Sequence, residues 1–280
     1  IIIPFPLPFE PELVAGERWQ QISRGVAHVL GVTSHGNLRS WGAFPDSSVP
    51  ALPSGVRYVQ AAAGYVHNAA LRSDGQVVAW GDNGLGQCNV PALPPGRSYV
   101  NVVASNTHTV VLRSDGEVLG FGSNLYGECN IPALPAGMRY VEIDACQSVT
   151  MLRRSDGQVR TVGYYYLSVP VTPSLPPGTE YVEIANTFGY YLARRSDGVI
   201  VSWPASPALI PQLPPGVVWV EIDGSNSSGG DLVLARTSDG NAMPIATFVG
   251  SQMQSAPPLE PGTSYVEVST NVSQFTARVG

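Results

Sequence analysis

The chain has 280 residues, a formal charge of −6 and a pI near 5.2; 44% of its residues are apolar and only 13% are charged. That balance excludes intrinsic disorder, which needs few apolar residues and many charges, and disfavours a nucleic-acid surface, because every basic residue is Arg, with no Lys, and acids outnumber bases. No run approaches 18 apolar residues, so no helical membrane span is expected.

Thirty Gly and 25 Pro mean low complexity unless they follow a pattern, and they do. The first residues, Ile1 to Pro11, carry Pro4, Pro6 and Pro8 and read as the outer half of a sheet unit. From there a Gly followed three residues later by an aromatic recurs as Gly16/Trp19, Gly55/Tyr58, Gly96/Tyr99, Gly137/Tyr140, Gly178/Tyr181, Gly216/Trp219 and Gly262/Tyr265. Ser-Asp-Gly recurs in parallel with its Gly at 75, 116, 157, 198 and 240; Ser-His-Gly ending at Gly36 and the final Gly280 keep the frame. A period near 41 residues is the mark of a repeat array.

Each unit reads as strands. In the second, Tyr58–Ala63 and His67–Arg72 flank a break of small residues, Asp74-Gly75 makes a hairpin turn, and Gln76–Gly81 follows. A weaker segment, Cys88–Pro91, reads as a fourth strand confined by its Pro to an edge. No apolar stripe at 3.6-residue spacing survives the Gly and Pro density. The expected fold is therefore all-β: one domain over 1–280, a seven-bladed β-propeller of four-stranded antiparallel blades. The last unit stops after two strands, so its blade is expected to be split between 264–280 and 1–16, joining the N- and C-terminal strands to remove open edges. Donation of Ile1–Ile3 to a neighbouring molecule is the rival.

The run Ala62-Ala63-Gly64-Tyr65-Val66-His67 with Arg72-Ser73-Asp74-Gly75 and Ala79-Trp80-Gly81-Asp82-Asn83, then Gly86-Gln87, resembles the repeat of the regulator-of-chromosome-condensation family. The Val-Pro-Ala segment after Gly-Gln, the short loops and the split terminal unit most resemble its bacterial branch, which includes propeller-type β-lactamase inhibitory proteins. The resemblance covers essentially the whole chain and implies fold more than function. The fifth and sixth units depart from it: Trp203-Pro204 replaces Trp-Gly, and Asn226–Gly230 enlarges a loop. It implies a secreted or cell-surface location, with Ile1 read as a processed or trimmed start.

Alternating strand directions place the Asp-Gly turns and the Leu-Pro connections on one face, where they repeat with little change. The opposite face differs in every unit. Its inner loops include Val26-Ala27, Tyr65-Val66, Asn106-Thr107, Gln147-Ser148, Phe188-Gly189 and Val272-Ser273; its outer loops include Phe44-Pro45-Asp46, Asp82–Leu85, Asn124–Tyr126 and Tyr164–Tyr166. Aromatic side chains anchor protein interfaces, so Tyr65, Val66, Asn106, Phe188, Tyr126, Tyr164, Tyr165 and Phe44 are the candidate partner-binding residues. The expected function is non-catalytic binding of a protein partner, with an enzyme-inhibitor role as its sharpest form. A carbohydrate-binding or adhesive module, and a subunit that self-associates through Ile1–Pro8, are the alternatives.

Other chemistry is weakly signalled. His28, His67 and His108 recur in successive units, but neighbouring sheets about 10 Å apart are too far to share one metal; each His is expected to bond backbone within its own unit. The same spacing keeps Cys88 and Cys129 unpaired, and Cys146 holds a different place in its unit. Asp74, Asp115, Asp156, Asp197 and Asp239 read as turn residues. Glu142, Glu183, Glu221 and Glu267 are expected to support the first strand and bond the neighbouring unit. No Ser/His/Asp set, phosphate loop or zinc spacing is present, so neither cofactor nor metal nor catalysis is expected.

Overall fold

A computed structural model describes residues 11–25, 28–42, 49–164, 171–187, 190–203, 210–225, 232–246, 265–270 and 275–279. The strands are β1 (Trp19–Arg24), β2 (His28–Thr33), β3 (Leu38–Gly42), β4 (Tyr58–Ala63), β5 (His67–Arg72), β6 (Val77–Gly81), β7 (Tyr99–Ala104), β8 (His108–Arg113), β9 (Val118–Gly122), β10 (Tyr140–Cys146), β11 (Val149–Arg154) and β12 (Val159–Gly163). They continue as β13 (Tyr181–Asn186), β14 (Tyr191–Arg195), β15 (Ile200–Trp203), β16 (Trp219–Ser225), β17 (Leu232–Thr237), β18 (Ala242–Ala246), β19 (Tyr265–Thr270) and β20 (Phe275–Val279). Taken three at a time in chain order they form antiparallel sheets, here sheets 1 to 6; β19 and β20 pair as a seventh, two-stranded sheet.

The fourth strand expected in each unit is not formed among the described residues. Pro91 lacks a donor, and local turns use the backbone before it: Asn89 N–H donates to the Gly86 carbonyl and Val90 N–H to the Cys88 carbonyl. Residues 1–10 lie outside the description, and with them the strand expected to complete the seventh sheet.

The Gly positions of the uniform face follow from backbone geometry. Gly36, Gly75, Gly116, Gly157, Gly198 and Gly240 all have φ between 73° and 85°, a region that costs L-residues about 1–2 kcal/mol. The neighbouring Asp side chains are engaged in the turns: Arg113 Nε donates to Asp115 Oδ1 at 2.9 Å, and Arg72, Arg154 and Arg195 likewise hold Asp74, Asp156 and Asp197.

A β-bulge in the first strand of all seven sheets explains why the recurring aromatic is needed. Pairing slips between Tyr58 and Gln60, and at the equivalent place in each other sheet. The extra residue resets the alternation. Tyr58 thereby joins Ala61 and Ala63 in a core shared with Leu30 of the preceding sheet, while Gln60 turns toward the next sheet, where it accepts from Val102 N–H. The tyrosine hydroxyl then ties down the Pro-rich connection: Tyr99 donates to the Pro91 carbonyl at 2.7 Å, Tyr140 to Pro132 at 2.8 Å and Tyr181 to Pro173 at 2.9 Å. Tyr99→Phe is expected to lose about 1 kcal/mol in urea unfolding, the net value of one such bond; no loss would mean the connection holds itself.

The apolar core is divided among the seams between sheets. Five clusters each join two successive sheets, from sheets 1 and 2 to sheets 5 and 6. The recurring Leu of the connections, Leu52, Leu93, Leu134, Leu175 or Leu213, packs against one of them.

Polar side chains stitch the same seams. Gln21 Nε2 donates to the Ala61 carbonyl at 2.9 Å and its Oε1 accepts from Ala61 N–H at 2.6 Å. Glu142 accepts from Ile184 N–H and from Arg153; Glu183 accepts from Ile222 N–H and from Arg194. Burial raises the pKa of both glutamates even against those Arg partners. These residues bridge to the next sheet, as expected for Glu142 and Glu183; Glu221 is held by Arg236, and the Glu267 side chain lies outside the description.

Candidate functional site

The varied face is built from rigid turns. Asp82 N–H donates to the Val66 carbonyl and Ser123 N–H to the Thr107 carbonyl, so inner and outer loops of a sheet are tied side by side. Tyr65 N–H donates to the Ser105 carbonyl of the following sheet. The outer turns of sheets 2 and 3 each fold around one buried polar side chain. Gln87 accepts from Leu85 N–H at 2.9 Å and donates to Asp82 at 2.6 Å. Glu128 accepts from Tyr126 N–H and from the Ser123 hydroxyl, both at 2.7 Å. An Asn pair closes both of these loops, Asn83 with Asn89 and Asn124 with Asn130.

With the polar groups turned inward, the tips carry apolar side chains outward. Leu125 is 79% exposed, Leu85 56%, Tyr65 43% and Tyr126 41%. The Tyr126 ring meets Tyr164 edge-to-face, centroids 5.1 Å apart at 77°; β12 ends one residue before Tyr164. Val66, Asn106 and Tyr164 are half-buried. Phe44, Tyr165 and Phe188 lie outside the described residues. The structure thus brings Tyr126 and Tyr164 together, and no ring contact joins Tyr65 to them among the described residues. Leu85 and Leu125 are the residues that sequence reasoning missed. Both stand in loops that were singled out, but an aliphatic residue in a loop carries no chemical signal until its exposure is known.

The histidines do not bond within their own sheets, as the sequence led one to expect; they bond across the seams. His28 Nε2 lies 2.6 Å from Asn68 Oδ1, His67 Nε2 2.8 Å from Thr109 Oγ1 and His108 Nε2 2.9 Å from Thr150 Oγ1. Each threonine hydroxyl donates onward, Thr109 to the Gln87 carbonyl and Thr150 to the Glu128 carbonyl. The threonine hydrogen is therefore committed, and Nε2 must be the protonated nitrogen that donates to it. The correction has a geometric cause: the second strand of the next sheet presents a hydroxyl or amide directly opposite the ring. Burial lowers all three pKa values, to about 4 for His67 and His108.

Cys88, Cys129 and Cys146 form no disulfide among the described residues. Cys88 and Cys129 donate to the Asp82 and Ser123 carbonyls of their own outer turns, and burial pushes the Cys129 thiol up to about 12, far from a reactive thiolate.

A family model described as "Regulator of chromosome condensation (RCC1) repeat" matches residues 58–87 and 99–128. The sequence matches no curated protein significantly. Among solved structures, the chain is similar to human WBSCR16, at 14% identity, covering 94% of this chain and 87% of that one, with a TM-score of 0.71. It is similar to Prp20p from Saccharomyces cerevisiae, described together with its binding properties to Gsp1p and histones, at 16% identity, 84% and 70% coverage and a TM-score of 0.61. It is also similar to the CRINKLY WD40 ectodomain of the Arabidopsis thaliana receptor kinase ACR4, at 17% identity, 89% and 86% coverage and a TM-score of 0.60. The chain carries RCC1 repeats and its fold is that of propellers.

Proposed function

We propose that this chain is a seven-bladed propeller, closed by its N-terminal segment, that binds a protein partner through the varied loop face without catalysis. One observation carries the reading. Gln87 and Glu128 spend their polar groups inside the outer turns, so that Leu85, Leu125 and Tyr126 stand in water on braced loops. A solvent loop has no reason to hold large apolar groups out rigidly; an interface anchor gains from it, because little entropy remains to be lost on binding. Prp20p, a propeller of the same kind, has protein partners, which makes the reading consistent with the fold. The finer version, an inhibitor that covers an enzyme's active site from outside the cell, draws on the family resemblance.

The test compares wild type with Leu125→Ser/Tyr126→Ala in capture from the native source, followed by measured affinity for the captured protein. The expected result is at least tenfold weaker binding by the variant, with the fold retained and the melting temperature lowered only by the lost Tyr126–Tyr164 contact. A partner held equally by both proteins refutes the varied face as the site, and inhibition of a β-lactamase by wild type alone would establish the inhibitor version. The glycan reading predicts instead a sugar ligand lost in the same variant.

A further inference from the structure

The first strands end at the varied face, and there one seam differs in character from the two before it. Asp144 stands two residues beyond Glu142 on β10 and shares its side, the side on which Glu142 reaches Ile184 N–H of β13. Asn186 stands two residues beyond Ile184 on β13, and Ile184 packs into the core shared with sheet 4. By strand alternation Asp144 and Asn186 face each other across the seam. The same places in the two preceding seams hold Ala62 with Ala104 and Val103 with Ala145, side chains that simply fill the gap.

Here the gap is polar and incompletely satisfied. Asn186 is 2% exposed, and neither atom of its side-chain amide has a hydrogen-bond partner among the described residues. Buried amides are rarely left so. Asp144 accepts from Ala145 N–H at 2.8 Å and from Asn186 N–H, and it keeps some solvent exposure. Among the described residues it forms no ion pair, whereas Glu142 and Glu183 on the same layer each hold an Arg. Asp223, at the equivalent place on β16, is near enough for its charge to oppose ionisation of Asp144, and burial raises the Asp144 pKa further. Every Arg except Arg24 lies toward the Asp-Gly end of its sheet or in the connections there, and Arg24 is shifted by burial, to about 10, not by either carboxylate. Apart from Arg24, the ends of the first strands at the varied face carry no Arg of their own.

We infer that Asp144 and Asn186, with Asp223 beside them, receive a basic side chain, ammonium or guanidinium, from the protein bound at the varied face. An incoming cation would favour the ionised form of Asp144 that burial and Asp223 oppose, and the Asn186 carbonyl offers a second acceptor, which suits a forked guanidinium donor best. The inference rests on the protein-binding reading and adds the partner's chemistry to it: a basic residue directed at the ends of the first strands, in addition to the apolar contacts offered by the outer turns.

The site is testable without the partner. Titration with n-butylguanidinium, followed by NMR, is expected to shift the Ala145 amide and the Asn186 side-chain amide saturably. Asp144→Asn should weaken that binding at least tenfold, and Asn186→Ala about threefold; the latter places Ala where Ala104 already stands, so it serves if Asp144→Asn fails to fold. No saturable shift, an equal shift in Asp144→Asn, or displacement of the same signals by Ca²⁺ at lower concentration overturns the inference. Failure of the protein-binding reading is distinguishable: Leu125→Ser/Tyr126→Ala would then retain its partner, whatever n-butylguanidinium does.

Discussion

Gly64→Ala is expected to destabilise the fold by about 3 kcal/mol or more, at the upper end of overpacking costs. A Cβ at Gly64 would lie 2.5 Å from the Ser105 carbonyl oxygen of the next sheet and 2.7 Å from Cε1 of the His67 ring. Neither neighbour can yield cheaply. The carbonyl is backbone and accepts from Tyr65 N–H, and His67 is fully buried and bonded to Thr109. Gly64 has no positive φ, so the whole loss is collision. Gly55→Ala is the matched control: its φ is +78° and nothing lies within 4 Å of its Cβ, so only conformational strain of about 1–2 kcal/mol is expected. Equal losses in urea unfolding of the two variants would refute the close approach of sheets 2 and 3.

Stability is also expected to fall steeply between pH 6.5 and about 4, through His28, His67 and His108. Burial holds their folded pKa values below the ordinary 6.5, near 4 for His67 and His108. In that window the unfolded imidazoles bind protons and the folded ones do not, so the unfolded state gains as pH falls. Each of these two histidines contributes on the order of 3 kcal/mol when the window is fully crossed. Protonation would also place a charge beside a committed hydroxyl in a dry seam. Glu142, Glu183 and Asp144 act in the opposite sense, because burial raises their folded pKa values and acid relieves their buried charge. The diagnostic is therefore a difference between proteins. His67→Gln/His108→Gln is expected to be less stable than wild type at pH 7 and to show a flatter stability profile between pH 6.5 and 4.5. Parallel profiles would show that the histidines do not titrate in the seams.

The repeat made the strands legible because its two markers are backbone requirements. The positive φ at the turn favours Gly, so the turns between second and third strands are announced in the sequence; β4 and β5 span the residues read for them. The bulge was not legible, since an extra residue in one strand leaves no compositional trace. It decides that Tyr58 and Gln60 face opposite neighbours. The fourth strand was misread for a related reason: Val90 looks like a strand residue, and only the turn bonds around Gly86 and Cys88 show its backbone already committed.

Part of the candidate site was suggested by variation among equivalent loops, which led to Tyr65, Tyr126 and Tyr164. The pairing of Tyr126 with Tyr164 joins the outer turn of sheet 3 to the end of sheet 4, a contact across a full repeat that no local pattern encodes. Asp144 and Asn186 were hidden inside good strand sequences, Tyr140–Cys146 and Tyr181–Asn186.

By itself the amino-acid sequence determined the repeat, the all-β class and the place of every Asp-Gly turn, because these rest on φ preferences and alternation that act within a few residues. Tertiary structure alone decided which side chains cross the seams, which loop residues stand in water and where a carboxylate is left without an Arg. Those are distances between residues about 40 positions apart, set by how one sheet packs on the next.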